Sequence, residues 1–81
     1  MKVVFYTTDG CSLCEQVLDG LFGEPGFAGV ELVTSDIALD DELVDRYAST
    51  LPVLKASDVE LHSPFTTAEA VEWLAKATVA S

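Results

Sequence analysis

The chain has 81 residues, which is enough for one domain with a single hydrophobic core. Apolar residues make up 49% and charged residues 22%, and this globular composition excludes a disordered or low-complexity chain. With 14 acidic residues against 4 Lys and Arg, the net charge of −10 repels the phosphates of nucleic acids and of anionic lipids. We therefore expect residues 1–81 to form one monomeric domain with no nucleic-acid or membrane partner.

The first predicted element is a buried strand from Lys2 to Thr7, since β-branched and aromatic residues dominate it. Its apolar stretch, Val3 to Tyr6, is shorter than the roughly 7–15 apolar residues of a signal peptide. No apolar run in the chain approaches the ~20 residues that span a bilayer. We therefore expect a cytoplasmic protein.

A helix is predicted from Cys11 to Phe22, because apolar residues recur there with helical spacing. The residues of this apolar stripe are Cys14, Val17, Leu18, Leu21 and Phe22. Gly23 and Pro25 favour an end to the helix, and the segment from Gly23 to Gly29 is predicted as a loop.

The middle of the chain predicts a second strand and a second helix. The strand runs from Val30 to Ser35, with apolar and polar residues in alternation. Asp40 is a suitable N-cap for a helix that continues to about Ala48. The apolar face of this helix consists of Leu43, Val44 and Tyr47.

The last third of the chain predicts an antiparallel hairpin and a final helix. The hairpin strands are Val53–Lys55 and Val59–His62. Thr66 and Glu69 have the spacing of a capping box, and the helix that they begin runs to about Ala77. Its predicted core stripe contains Val71, Leu74 and Ala75, with Trp73 off the stripe.

The predicted order is therefore β-α-β-α-β-β-α. The first two strands need a helical crossover and must be parallel, whereas the hairpin is antiparallel. The chain thus predicts an α/β sandwich of three layers, with a four-stranded mixed sheet between helices.

The residues that carry chemistry are Cys11 and Cys14, at the point where the first strand leads into the first helix. With Cys11 at the N-cap, its sulfur faces free N–H groups and the positive end of the helix dipole, which stabilise a thiolate. Cys14 belongs to the apolar stripe. This asymmetry predicts an exposed nucleophile, Cys11, and a buried resolving thiol, Cys14.

Nearby charges act against thiolate formation. Asp9 and Glu15 flank the cysteine pair, and like charge raises a thiol pKa. We therefore expect Cys11 to be less acidic than strongly activated thiols. Lys55 would offset this effect if the fold brings it close to the pair.

Three alternatives to dithiol chemistry stay open. Zinc needs four ligands, and the chain offers two Cys and one His unless carboxylates or a dimer complete the site. Copper(I) carriers usually have a Met two residues before the first Cys, where this chain has Asp9. Buried cysteines can also be inert packing residues, which suits Cys14 better than Cys11.

Several short motifs accompany the cysteine pair along the chain. They are Tyr6-Thr7, the Cys11-Ser12-Leu13-Cys14 motif itself, Asp36-Ile37, Leu43, Tyr47 and the segment Leu51-Pro52-Val53-Leu54. Together they resemble glutaredoxins, in particular the short glutaredoxin-like proteins of bacteria. The resemblance covers nearly the whole chain in the same order of elements. The resemblance implies a thioredoxin fold with a cis Pro52 against the cysteines.

The resemblance further implies a thiol–disulfide oxidoreductase in which Cys11 and Cys14 are catalytic. Tyr6, Leu51 and Pro52 would bind the substrate, with the Leu51 backbone pairing with it. The substrate would be a disulfide in a protein or a small molecule. No bound cofactor is implied beyond an external thiol reductant, either glutathione or a reductase protein.

The chain also departs from the glutaredoxin pattern. Ser12-Leu13 replaces the usual Pro-Tyr, and no basic residue precedes Cys11 within a few positions. His62 to Thr66 stands where glutaredoxins have a Gly-Gly turn that holds glutathione. These departures leave two further hypotheses: a thioredoxin-fold module that binds a protein without redox turnover, and a metal carrier that uses the cysteine pair.

Overall fold

The chain alternates strands and helices in the predicted order. A computed structural model describes residues 2–80, with side chains for residues 2–77. The strands are β1 (Lys2–Thr7), β2 (Glu31–Asp36), β3 (Val53–Ala56) and β4 (Val59–His62). The helices are α1 (Ser12–Phe22), α2 (Asp41–Tyr47) and α3 (Thr67–Ala80), with short 3-10 helices at Pro25–Phe27 and Ile37–Leu39.

The four strands form one mixed sheet in the order β2-β1-β3-β4. β1 and β2 are parallel with Thr7 opposite Asp36, whereas β3 is antiparallel to both β1 and β4. The carboxyl ends of β1 and β2 therefore meet at one edge of the sheet, where the chain enters α1. The turn between β3 and β4 lies at the opposite edge.

Two hydrophobic clusters cover the two faces of the sheet, as the alternation of side chains along a strand requires. The larger cluster joins Phe5 and Leu54 to buried residues of α1 and α3. The smaller cluster contains Ile37, Tyr47 and Val53, with Tyr6 packed against it. The three predicted layers are thus confirmed, with α1 and α3 on one face of the sheet and α2 on the other.

Side-chain caps fix the amino ends of all three helices. Cys11 caps α1, and Asp40 accepts a hydrogen bond from the Glu42 N–H at 2.9 Å at the start of α2. At α3 the capping box is reciprocal, since the Glu69 N–H donates to Thr66 Oγ1 at 3.1 Å and the Thr66 N–H donates to Glu69 Oε1 at 3.0 Å. Within residues 2–80, no helix is long and apolar enough to cross a membrane.

The predicted face of α3 was wrong. Trp73 is only 8% exposed and belongs to the core, whereas Ala75 is exposed and Val71 half-buried. The buried stripe contains Ala70, Trp73, Leu74 and Ala77. It has the same helical spacing as the predicted stripe but lies on a neighbouring face of the helix. Small alanines on this stripe leave room for the indole beneath the helix. α3 also continues three residues beyond Ala77.

Three smaller predictions also need correction. The segment from Gly23 to Gly29 is not simply a loop, because Pro25–Phe27 forms a 3-10 helix that buries Phe27. Phe22 is exposed rather than part of the α1 stripe, whereas Leu21 in the same last turn is fully buried. β2 begins and ends one residue later than predicted, and β3 includes Ala56.

Candidate dithiol site

The two cysteines lie at the start of α1 and are joined as a disulfide, with their Cα atoms 5.3 Å apart. Cys14 is 1% exposed and packs in the larger cluster, whereas Cys11 is half-buried. The Cys14 N–H donates a hydrogen bond to Cys11 Sγ at 3.2 Å. The two sulfurs thus differ in access to solvent, and Cys11 Sγ receives a backbone N–H.

Local sequence explains why Cys11 occupies the N-cap. Gly10 has a φ of +79°, a conformation that favours glycine, and it turns the chain from β1 towards α1. Cys11 itself is extended, with φ −89° and ψ 93°, and its N–H donates to the Thr8 carbonyl at 3.4 Å. An N-cap side chain faces the unpaired N–H groups of the first turn, so the helix start favours negative charge on Cys11 Sγ.

An open cavity of about 430 Å³ lies between the carboxyl ends of β1 and β2 and the first turns of α1. It reaches Cys14 and is lined by three acidic residues, Asp9, Glu15 and Asp36. Among the described residues, no Lys, Arg or His lines it. Lys55 does not offset these negative charges, because it lies opposite Glu60 in the hairpin, on the α2 face of the sheet.

Leu51 and Pro52 precede β3 and link the two hydrophobic clusters. Leu51 is half-buried and packs against both clusters, and one of them also contacts Cys11. Pro52 is fully buried, and the Leu51–Pro52 peptide bond is cis. The Leu51 backbone forms no hydrogen bond with any other residue of the described chain. Within residues 2–80, its N–H and C=O therefore have no hydrogen-bond partner.

Tyr6 occupies a different environment from the cysteines. Its ring stacks on that of Tyr47 with centroids 4.8 Å apart, on the α2 face of the sheet. Cys14 packs on the opposite face. The structure thus brings Cys11, Cys14 and Leu51 to one cluster and places Tyr6 on the other, where its predicted role in substrate binding stays a prediction.

A polar network that the sequence analysis did not identify lies next to Leu51 and includes the preceding residue, Thr50. The Tyr47 hydroxyl donates a hydrogen bond to Glu60 Oε2. His62 Nε2 lies 2.9 Å from Glu60 Oε1, and His62 Nδ1 lies 3.1 Å from Thr50 Oγ1. The Ser63 N–H also donates to the Thr50 carbonyl at 3.1 Å. The network therefore fixes the residue that immediately precedes Leu51.

The network shifts the ionisation of two of its members. The hydrogen bonds from Tyr47 and His62 lower the pKa of Glu60, because they favour its carboxylate. Burial, together with the bond to Glu60, raises the pKa of Tyr47.

The sequence does contain a signal for this network, because Glu60 and His62 are two residues apart on one strand and share the face that α2 covers. Within the described residues, no three His, Cys, Asp or Glu side chains form a group that could hold a metal ion.

Comparisons with known proteins agree with the fold described above. Residues 2–76 match the family model described as glutaredoxin-like domain (DUF836). A solved structural-genomics target protein, XcR50 from X. campestris, superposes with a TM-score of 0.79 at 27% identity, covering 91% of this chain and 96% of that one. Thioredoxin 1 from Thermosipho africanus superposes with a TM-score of 0.70 at 16% identity over 94% of this chain and 92% of that one, which shows a shared fold. A comparison with curated proteins gives no significant match.

Proposed function

Because this chain belongs to the glutaredoxin-like domain family and has the thioredoxin fold, we propose that it is a thiol–disulfide oxidoreductase acting through Cys11 and Cys14. The observation that carries the proposal is the cysteine pair at the start of α1, with the Cys14 N–H bonded to Cys11 Sγ. Family and geometry together support a redox role. The direction of exchange and the substrate belong to the proposal.

The proposed reaction starts from the reduced pair. The Cys11 thiolate attacks one sulfur of a substrate disulfide, and the other substrate sulfur leaves as a thiolate that takes a proton from water. Cys14 then loses its proton and attacks Cys11 Sγ. The mixed disulfide breaks, the second substrate thiol is released, and the Cys11–Cys14 disulfide forms. Two electrons pass from the protein to the substrate, and an external thiol reductant restores the dithiol.

The segment before β3 supports a role for Leu51 in holding the substrate. No described residue forms a hydrogen bond with its backbone N–H or C=O, so an extended peptide could form backbone hydrogen bonds there. The polar network around Thr50 holds this backbone in place. Pro52 is buried and would act by fixing the backbone of Leu51 rather than by contacting the substrate.

We also propose that the protein acts in the cytoplasm as a monomer, without a bound cofactor. Cytosolic thiol pools keep most cysteines reduced, so a disulfide there is typically transient and catalytic. Either glutathione or a reductase protein would supply the electrons. The substrate partner would be a disulfide in a protein or in a small molecule.

The first experiment is the reduction potential of the cysteine pair. The protein is equilibrated in dithiothreitol and glutathione buffers from about −320 to −120 mV, and free thiols are counted by mass after alkylation. We expect one two-thiol transition between about −270 and −180 mV, the range of working thioredoxin-like exchangers. A pair that stays fully oxidised or fully reduced across the whole range would overturn the proposal.

Two matched serine variants test the roles of the two sulfurs. With Cys14→Ser, the mixed disulfide cannot be resolved, so a covalent adduct with a disulfide peptide should accumulate. With Cys11→Ser, the buried Cys14 should give at least about tenfold less adduct, because the sulfur that receives the N–H bond is absent. Equal adduct formation by both variants would contradict the assignment of Cys11 as nucleophile.

A further inference from the structure

We propose that the dithiol site selects disulfides that lie in basic polypeptide segments, an inference that rests on the exchange function proposed above. The carrying observation is the charge of the cavity beside the cysteines. Three carboxylates line the cavity, which reaches Cys14 next to the start of α1, and no cation of the described residues lines it.

The carboxylates of the cavity remain available to a cationic substrate. The side chains of Asp9 and Glu15 form no hydrogen bond or ion pair with the described residues, and the Asp36 carboxylate accepts one backbone hydrogen bond, from the Ala38 N–H at 2.9 Å. The fold sets the backbone positions of all three residues, which lie in the turn after β1, in the first turn of α1 and at the end of β2. A cleft lined by one sign of charge raises the local concentration of oppositely charged ligands.

The basic residues of the chain lie elsewhere. Arg46 and Lys76 pair with Glu42 and Glu72 on the exposed faces of α2 and α3, each at 3.7 Å. Lys2 begins β1, at the edge of the sheet away from the cysteines. Lys55 lies opposite Glu60. With a net charge of −10, the molecule as a whole therefore reinforces the negative potential of the cavity.

Other features of the same edge suit a polypeptide better than a small disulfide. Leu13, between the two cysteines, is 47% exposed, and Leu39, in the short 3-10 helix that follows β2, is 88% exposed. Both are apolar side chains that a neighbouring peptide could cover. The Leu51 backbone, which has no hydrogen-bond partner among the described residues, would pair with an extended chain. Glutathione disulfide is anionic, and the cavity charges oppose its approach.

The test compares two peptides of equal length, each closed by one disulfide and differing only in whether Lys or Glu flanks the cysteines. The reduced, desalted protein is mixed with each peptide, and the single-turnover rate is measured at low and high ionic strength, about 20 mM and about 1 M. Dithiothreitol, which carries no charge besides that of its reacting thiolate, reduces the same peptides in parallel. Its rate ratio corrects for the intrinsic reactivity of the two disulfides.

We expect the corrected rate to be at least about tenfold higher for the Lys-flanked peptide at low salt. The ratio should fall to within about twofold at 1 M salt, where the screening length is only about 3 Å. Glutathione disulfide should react as slowly as the Glu-flanked peptide.

Charge-reversal variants locate the effect. Glu15→Lys changes the cavity, whereas Asp58→Lys makes the same change of charge in the turn between β3 and β4, at the far edge of the sheet. Glu15→Lys should reduce the ratio at least about threefold, and Asp58→Lys should leave it within about 1.5-fold. Any effect of the Glu15→Lys substitution on the reactivity of Cys11 cancels in the ratio. Asp9→Lys provides an independent second variant of the cavity.

The outcomes separate the two proposals. If both peptides are reduced at equal corrected rates, or if Asp58→Lys lowers the ratio as much as Glu15→Lys, the inference about the cavity is overturned while the exchange function stands. If neither peptide is reduced, the proposed function fails and the inference fails with it. A salt-dependent preference that Glu15→Lys abolishes and Asp58→Lys preserves supports the inference.

Discussion

At the scale of single residues, Cys11 combines a structural role with a chemical one. Ser, Thr, Asp and Asn are the usual N-caps, and here a cysteine sulfur accepts the hydrogen bond from the Cys14 N–H at 3.2 Å. The bond that begins the helix therefore also favours the thiolate. The Cys11→Ser substitution therefore removes the thiol while keeping a cap, because serine is a good N-cap of nearly the same shape.

We predict that Cys11→Ser preserves the fold under reducing conditions. Its free energy of unfolding should lie within about 0.5 kcal/mol of that of the reduced parent chain, or slightly above it, since Ser is a strong N-cap. Urea denaturation with excess dithiothreitol, followed by circular dichroism, measures this difference. Cys11→Val, which cannot cap, is the control and should cost about 1 kcal/mol. A large destabilisation by serine would contradict the capping role.

The lowered pKa of Glu60 predicts that the stability of the fold depends on pH. Because its pKa is lower in the folded chain than in the unfolded chain, it stabilises the fold above the unfolded value and loses this contribution as pH falls through the folded value. Glu60→Gln should lower the free energy of unfolding by about 1–2 kcal/mol at neutral pH, since it removes charge-assisted hydrogen bonds. The difference should shrink in acid, where the parent carboxylate is protonated.

Urea denaturation of both proteins at several pH values between about 3 and 7 tests this prediction. Glu42→Gln is a suitable control, because Glu42 lies on the exposed face of α2 in a single 3.7 Å pair with Arg46. Exposed pairs of this kind contribute roughly 0–1 kcal/mol. A Glu60→Gln loss that stays constant with pH would show that packing, rather than charge, stabilises this network.

At the scale of elements, the sequence predicted most of the fold because strand alternation and capping are local. β1 and β4 have the predicted bounds, and Asp40 and Thr66 cap the predicted helices. The face of α3 was not predictable in the same way. Val71 and Trp73 are both apolar, but Trp73 lies in the core whereas Val71 is half-buried and packs next to Gly26 of the short helix. Contacts distant in sequence decide which face of the helix is buried.

The contact between the Pro25–Phe27 turn and α3 gives a prediction. A Cβ on Gly26 would lie 2.7 Å and 2.8 Å from the two methyl groups of Val71, so rotation of the valine cannot clear both. Gly26→Ala should therefore destabilise the fold by about 1–3 kcal/mol. In a Val71→Ala background the same substitution should be nearly neutral. The double-mutant cycle should then show a coupling energy of at least about 1 kcal/mol.

Gly23→Ala is the matched control for that cycle. A Cβ there would meet only backbone oxygens at 3.8 Å and 3.9 Å, and φ at Gly23 is −87°, which alanine adopts easily. Its effect should be neutral or stabilising by up to about 1 kcal/mol. Equal costs at both glycines would mean that backbone flexibility, and not the contact with Val71, explains the loss at Gly26.

At the scale of the whole molecule, the candidate site consists of a local part and an assembled part. The cysteine motif and its helix start were visible in the sequence, since both lie within a few residues. The cavity was not, because it needs Asp36 from β2 beside Asp9 and Glu15, and the register that places Asp36 opposite Thr7 could not be read from the sequence. The network of Tyr47, Glu60 and His62 likewise joins α2 to β4.

Net charge gives a prediction for the molecule as a whole. With 14 acidic residues against 4 basic ones, repulsion in the folded chain exceeds attraction, and the ion pairs of Arg46 and Lys76 are exposed and weak. Screening should therefore stabilise the fold. We expect the free energy of unfolding in urea to rise by about 1 kcal/mol between about 0.02 and 0.5 M NaCl. The chain with both Glu15→Lys and Asp58→Lys, which removes much of the negative charge, should respond about half as much. An unchanged or falling stability in added salt would contradict net repulsion and would show that local ion pairs dominate the electrostatics of this fold.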